Sequence, residues 1–131
     1  MDWIDAYLNL AKELAKPKAG LNHHDTEARQ RSAVSRAYYA VFLTARDKFA
    51  PDLKFLQPGE GSSHVKLWKR FKTDSHEELR DIGNRASELR ESRNKADYGE
   101  FITNPSHFVA DAIQNAEDLK GDIEALPSHL A

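Results

Sequence analysis

The sequence has no cysteine. That excludes disulfides and any thiolate zinc site. It has no apolar run approaching the ~18 residues needed to span a bilayer. Its first residues, "MDWIDAYLNLAKELAK", are acidic at the start and amphipathic throughout, unlike a secretory signal. The expectation is a cytoplasmic protein without membrane contact. Excess positive charge is also missing: the formal net charge is −2, which argues against a general nucleic-acid coat but leaves room for a local basic site. Repeats, low-complexity segments and strand-like alternation are absent too. What remains is a chain of 131 residues, 40% hydrophobic and 31% charged, enough for a single domain over 1–131 with one core.

The apolar period is helical almost everywhere. Trp3, Ile4, Tyr7, Leu8, Ala11, Leu14 and Ala15 form a first stripe, stopped by Pro17 and Gly20. Asp25 or Thr26 is the expected N-cap of a long second helix running to Phe49. One of its faces carries Val34, Ala37, Tyr38, Val41, Phe42, Ala45 and Phe49. A second, mixed face carries Ser35, Tyr39, Leu43 and Arg46. "APDLKFLQPGEGSS" punctuates as a loop. Ser62 or Ser63 then caps a short helix, "HVKLWKRFK", with Val65, Leu67, Trp68 and Phe71 on its apolar side. A fourth helix is expected near Ser75, with Glu78 in capping-box position, and its stripe is Leu79, Ile82, Ala86 and Leu89. Asn104 and Pro105 open the last helix, which Pro127 ends. Four main helices and one short one, joined by short connections, predict an all-α, up-and-down helical bundle.

The stripe of the fourth helix reaches Arg93 at its next four-residue step, and Asp97 follows one turn later. An arginine in a stripe snorkels, pairs with a carboxylate or points into a cleft. An exposed Arg-before-Asp pair contributes only ~0.3–0.5 kcal/mol. One reading is therefore a helix-end ion pair that organises the turn, with Tyr98 as a half-buried lid and Gly99 as the stop. The other is a functional cleft. The tandem Tyr38–Tyr39 is informative because adjacent helical positions point ~100° apart. One ring enters the core while the other, beside Ser35, faces elsewhere, and a partner subunit is a reasonable elsewhere. His64, followed by Lys66, Lys69 and Arg70, is either a solvated helix-start residue or a group for acid–base work or phosphate contact. "HHD" (His23–Asp25) reads as a polar loop rather than a metal site, since adjacent histidines diverge. Arg29, Arg31, Arg36, Arg46, Arg80, Arg85 and Arg90 read mostly as solvated faces, of which a subset can converge on phosphate.

Two separated segments resemble a known family. "SRAYYAVFLTARDKF" is similar to the second-helix signature of the HEPN superfamily. "LRESRNKADYGEF" resembles the Arg-x-x-Ala-Asp-Tyr signature of its small, stand-alone prokaryotic subgroup. "SSHVKLWKRF" between them looks like that subgroup's short helix with its Ser-His start, and "AEDLKGDIEAL" is similar in character. The resemblance covers nearly the whole chain. It implies an all-α homodimer with the motif helices near the dyad, no cofactor and no metal. Many members are metal-independent endoribonucleases; others bind RNA or nucleotides, or are inactive scaffolds. Several are toxins or phage-defence components, often paired with a nucleotidyltransferase antitoxin. On that resemblance Arg93, Asp97, Tyr98 and His64 are the catalytic candidates, and Arg90, Arg36, Lys69 and Arg70 the candidates for RNA or nucleotide contact. Ser35, Tyr39 and Arg46 are the dimer-interface candidates.

The sequence departs from the family's ribonuclease motif, an arginine followed after four to six residues by histidine. Counting from Arg93 gives Tyr98, Gly99 or Glu100; counting from Arg90 gives Lys95, Ala96 or Asp97. Histidine is the group that moves the proton while arginine stabilises the charge developing at phosphorus. Aspartate repels phosphate, and tyrosine, with a reference pKa of ~10, is hard to ionise. Two functional readings follow: a protein that engages RNA or nucleotide through Arg93, and a non-catalytic interaction module in which Arg93, Asp97 and Tyr98 are structural.

Overall fold

In the computed structural model, residues 3–49 and 63–127 are described; the expected loop over 50–62 lies outside them. The described residues form five helices and no strand: α1 (Trp3–Ala15), α2 (His23–Phe49), α3 (Ser63–Lys72), α4 (Glu77–Asp97) and α5 (Pro105–Ala125). The protein is an all-α helical bundle. None of the described helices is long and apolar enough to cross a membrane.

α2 is the axis of the core. Val34, Ala37, Tyr38, Val41, Ala45 and Phe49 on one face are fully buried, and Ala33 and Ala40 beside them are too. A helix buried around most of its circumference needs neighbours on several sides, and α2 packs against α1, α4 and α5. Hydrogen bonds fix the directions. Arg29 at the start of α2 donates to the Glu13 carbonyl at the end of α1, and Arg36 lies over the Tyr7 ring at 5.7 Å, so these two helices are antiparallel. Arg31 meets the end of α4, which makes α4 antiparallel to α2 as well. α5 differs. Gln30 bonds to Ser106 near the start of both helices, and Lys48 donates to the Ile123 and Glu124 carbonyls near the end of both. The most extensive packing in the bundle therefore joins two parallel helices, α2 and α5. The short connections α1–α2, α3–α4 and α4–α5 give antiparallel neighbours, but α3 runs parallel to α2, with Tyr38 on His64, Phe42 on Trp68 and Phe49 on Phe71, and the core is a parallel pair flanked by α1 and α4.

Local signals explain most boundaries. Gly20 takes a positive φ of 86° after Pro17, a conformation glycine adopts without a Cβ clash. α2 begins at His23, three residues before the expected Thr26, because Asn22 is the cap: its Oδ1 accepts the Asp25 N–H at 2.8 Å. "HHD" is thus the first helical turn, not a loop. α3 buries Leu67, Trp68 and Phe71, but Val65, expected among them, is 49% exposed. At the start of α4 the expected Ser75–Glu78 capping box does not form. His76 is the N-cap residue, without a side-chain cap bond.

Asp74 organises that turn instead. It accepts from the His76 N–H (2.9 Å), the His76 ring (2.7 Å) and Arg70 Nη1 (2.6 Å). Burial pushes its pKa up, but those donors outweigh burial and hold it down at about 2. Arg80 closes the turn by donating to the Asp74 and Ser75 carbonyls. α3 then lies tightly on α4 at Gly83, where an added Cβ would sit 2.8 Å from Phe71 Cβ and 2.9 Å from Lys72 N. The start of α5 follows expectation: Asn104 accepts the His107 N–H at 3.2 Å, and Pro105 occupies the first turn.

Candidate functional site

Leu79, Ile82, Ala86 and Leu89 all point into the core, and Arg93 continues their line toward the end of α4. There it meets the mixed face of α2. Arg93 Nη2 donates to Tyr39 Oη at 3.1 Å, and the guanidinium lies 5.3 Å from the Tyr39 ring centre and 6.0 Å from that of Tyr38. Cation–π contact of this kind lets an arginine occupy an aromatic stripe without a full desolvation penalty. Arg93 Nη1 donates to Asn94 Oδ1 at 3.1 Å. Arg93 Nε is 2.8 Å from Asp97 Oδ2. That N–H is enclosed and not aimed along the contact, so the pair is ionic rather than an aligned hydrogen bond. Ser35 Oγ donates to the same Asp97 oxygen at 3.3 Å.

A second network adjoins the first. Trp68 Nε1–H donates to Tyr38 Oη at 2.9 Å, and Tyr38 Oη is 2.7 Å from His64 Nδ1. Tyr38 is wholly enclosed, so its own O–H needs an acceptor. His64 Nδ1 supplies one only if it is unprotonated. The hydrogen-bond pattern thus assigns the neutral tautomer with its proton on Nε2. The electrostatics agree. Burial, then the charges of Arg93, Arg90 and Arg46, lower the pKa of His64 to about 4. Burial raises Tyr38 to about 12, against the opposing pull of Trp68, Arg90 and Arg93. The imidazole is stacked on Phe42, ring centres 3.7 Å apart, and stands edge-on to Tyr39 at 5.6 Å. His64 and Arg93 are thus joined through the two tyrosines, one bonded to each of them.

The structure brings together only some of the residues selected from sequence. Arg93, Asp97, His64, Ser35 and Tyr39 share one cluster, and the charges of Arg90 and Arg46 reach it. Tyr98 does not join: at 74% exposure it is an open C-cap residue rather than a lid, followed by Gly99 at φ 78°. Arg36 faces α1. Arg70 is engaged by Asp74. Lys69 lines a groove between α3 and α4 together with Arg90. Ser35, expected at a dimer interface, is only 6% exposed within the single chain. The "elsewhere" that Tyr39 faces is Arg93. Arg46 pairs with its neighbour Asp47 at 3.0 Å.

Residues not singled out for the site complete it. Tyr38, Trp68 and Phe42 hold His64, and Asn94 takes one Arg93 donor. Arg31, expected in solvent, donates to the carbonyls of Lys95 (3.3 Å), Ala96 (3.1 Å) and Glu100 (2.7 Å). It satisfies the unpaired end of α4 and so fixes the turn from which Asp97 projects. The tandem tyrosine was the one sequence signal for Tyr38; nothing local marks Arg31. Among the described residues no group of histidines and carboxylates is arranged to hold a metal ion. Comparison with models of protein families, with curated proteins and with solved structures yields no match.

Proposed function

We propose that this chain is a HEPN-type protein that binds RNA or nucleotide phosphate at the Arg93–His64 cluster. It would act as a homodimer with that face near the dyad, in a toxin–antitoxin or phage-defence setting with a nucleotidyltransferase as antitoxin. One observation carries the reading: Arg93, held by Tyr39 and Asn94, and His64, held by Tyr38, are brought side by side, with the charges of Arg90 and Arg46 also directed at the imidazole. A site of that polarity attracts an anion. His64 offers a neutral N–H to it, and each Nη of Arg93 keeps a second hydrogen beyond its internal bond.

The same features support binding more strongly than cleavage. A general base works best with a pKa near the working pH. His64 is far below that, and the tautomer held by Tyr38 puts the proton on Nε2. Endonuclease action would need that tautomer reversed when RNA binds.

A second reading has its own support. Arg93 is held by Asp97, Tyr39 and Asn94, all of the same chain, as a structural clamp in a non-catalytic interaction module would be. The two separate on RNA binding and cleavage by the wild type and Arg93→Ala. Loss of a charge-assisted bond of about 1.5–3 kcal/mol weakens binding roughly ten- to hundredfold. Absence of wild-type binding across varied RNAs and nucleotides overturns the first reading. Loss of self-association on Asp97→Ala, with no RNA activity in the wild type, supports the second.

A further inference from the structure

Positive charge in this fold is mostly claimed. Lys12 pairs with Glu117, Arg70 with Asp74, Arg85 with Asp81 and Asp122, and Lys120 with Asp5 and Glu124. The groove between α3 and α4, about 290 Å³ in volume, gathers cations that are not claimed in this way. Lys69 and Lys72 reach it from α3 and Arg90 from α4, with the Ser87 side chain beside them. Among the described residues none of these three cations makes an ion pair. Arg90 also keeps its Nε enclosed with no acceptor. One carboxylate, Glu91, lines the groove, so positive charge remains in excess. Of the other grooves, two hold Arg85, which already pairs with Asp81 and Asp122; a third, beside Pro17, holds Lys18 with Lys16, which pairs with Glu13, and Arg29, which donates to the Glu13 carbonyl.

We propose that this groove binds a phosphate of an RNA strand, as a second contact beside the one at Arg93. The proposal rests on the phosphate-binding reading above and deepens it by naming a strand rather than a single nucleotide. Arg90 and Arg93 are three residues apart on α4, so they are surface neighbours with Cβ atoms roughly 5–6 Å apart. Arg93 is turned to Tyr39 on α2, while Arg90 lines the groove beside α3, so a strand with successive phosphates can meet both. Val65 and Trp68, also lining the groove, give it an apolar side suited to a sugar or base. The site is preorganised: both walls are helices, locked together where Gly83 meets Phe71 and Lys72. Trp68 and Arg90 tie it to the His64 cluster: Trp68 donates to the Tyr38 hydroxyl that holds His64, and the charge of Arg90 reaches the imidazole.

The test uses the full chain and a Lys69→Gln/Lys72→Gln variant. Lys69 and Lys72 are exposed, so the variant keeps the fold. Binding of a labelled mixed-sequence RNA decamer is measured over a range of salt. Each phosphate contact to a single strand contributes about 0.7 to the slope of log K against log salt, so losing both lysines flattens it by about 1.4. An unchanged slope overturns the inference and leaves binding at Arg93 standing. Adenosine monophosphate that binds as tightly as the decamer, with the same dependence on the lysines, overturns the strand. A decamer that fails to bind wild type at any salt overturns both this inference and the reading it rests on. A second readout is the NMR signal of the enclosed Arg90 Nε–H. Inorganic pyrophosphate should shift it in wild type and not in the variant; no shift in wild type overturns the groove as a phosphate site.

Discussion

Two arginine–aspartate pairs in this protein have the same spacing and opposite characters. Arg70–Asp74 closes α3 and Arg93–Asp97 closes α4, at 2.6 and 2.8 Å. In the first, the carboxylate is the centre. Asp74 is buried and collects donors from Arg70 and His76, and the next helix starts from it. In the second, the cation is the centre. Arg93 is the less exposed partner, wrapped by Tyr39, Tyr38 and Asn94, while Asp97 is the more open end. A helix-end ion pair that merely organises a turn thus exists here, but at Arg70–Asp74. The pair at Arg93 has the geometry of a held arginine. Identical sequence spacing produces both; what lies across from the helix decides between them.

The sharpest way to break that contrast is to remove each carboxylate. Asp74→Ala strands Arg70 and the start of α4, and is expected to cost about 3 kcal/mol in urea unfolding. Gly83→Ala comes next. Its new Cβ must displace Phe71 and the Lys72 backbone, an overpacking cost of about 2 kcal/mol. It also lifts the helix that carries His64, so the near-UV signal of Trp68 should change with it. A Gly83→Ala protein of wild-type stability would mean that α3 is not locked to α4.

The third test is by pH. The folded state resists charging His64 until about pH 4, whereas the unfolded chain takes that proton near its ordinary value of 6.5. The unfolded state binds more protons in that window, so stability falls as pH drops from about 6.5 to about 4. The ring is only partly buried, so the expected loss is roughly tenfold in the folding equilibrium, well below what the full shift implies. His64→Gln should flatten that part of the curve. Asp74 acts separately: its folded pKa is lowered, so its contribution disappears only between 3.8 and about 2. Equal slopes for wild type and His64→Gln between pH 6.5 and 4 would show that the imidazole is not held neutral. Asp97→Ala should have the smallest effect, about 0.5–1 kcal/mol. If it matches Asp74→Ala, the two pairs are equivalent after all.

The sequence carried these regions unequally, for physical reasons. Helix faces and most ends were legible because the period and the caps are local: the stripe Leu79–Ile82–Ala86–Leu89, Asn104 with Pro105, and Gly20 all behave as their types dictate. Where two local signals competed, the choice was made by bonds that spacing cannot rank. Asn22 caps α2 ahead of Asp25 or Thr26, and Asp74 draws the turn that Ser75 and Glu78 were expected to make. Arg93–Asp97 was legible as a one-turn neighbour. The cradle around it was not, since Tyr38 to His64 and Arg31 to Glu100 are tertiary bonds between residues 26 and 69 apart. The parallel course of α2 and α5 is of the same kind.

That parallel pairing also has a kinetic consequence. Gln30–Ser106 and Lys48–Glu124 each bridge residues 76 apart in sequence, and contacts of such separation form only after long loops close. α1 and α2 can collapse on each other early, as can α3 and α4. The face of α2 that α5 covers stays bare until the later helix arrives. During synthesis the chain passes through a stage in which part of the helix that buries the most residues has no cover, and that is when it is most open to a chaperone or to a second nascent chain.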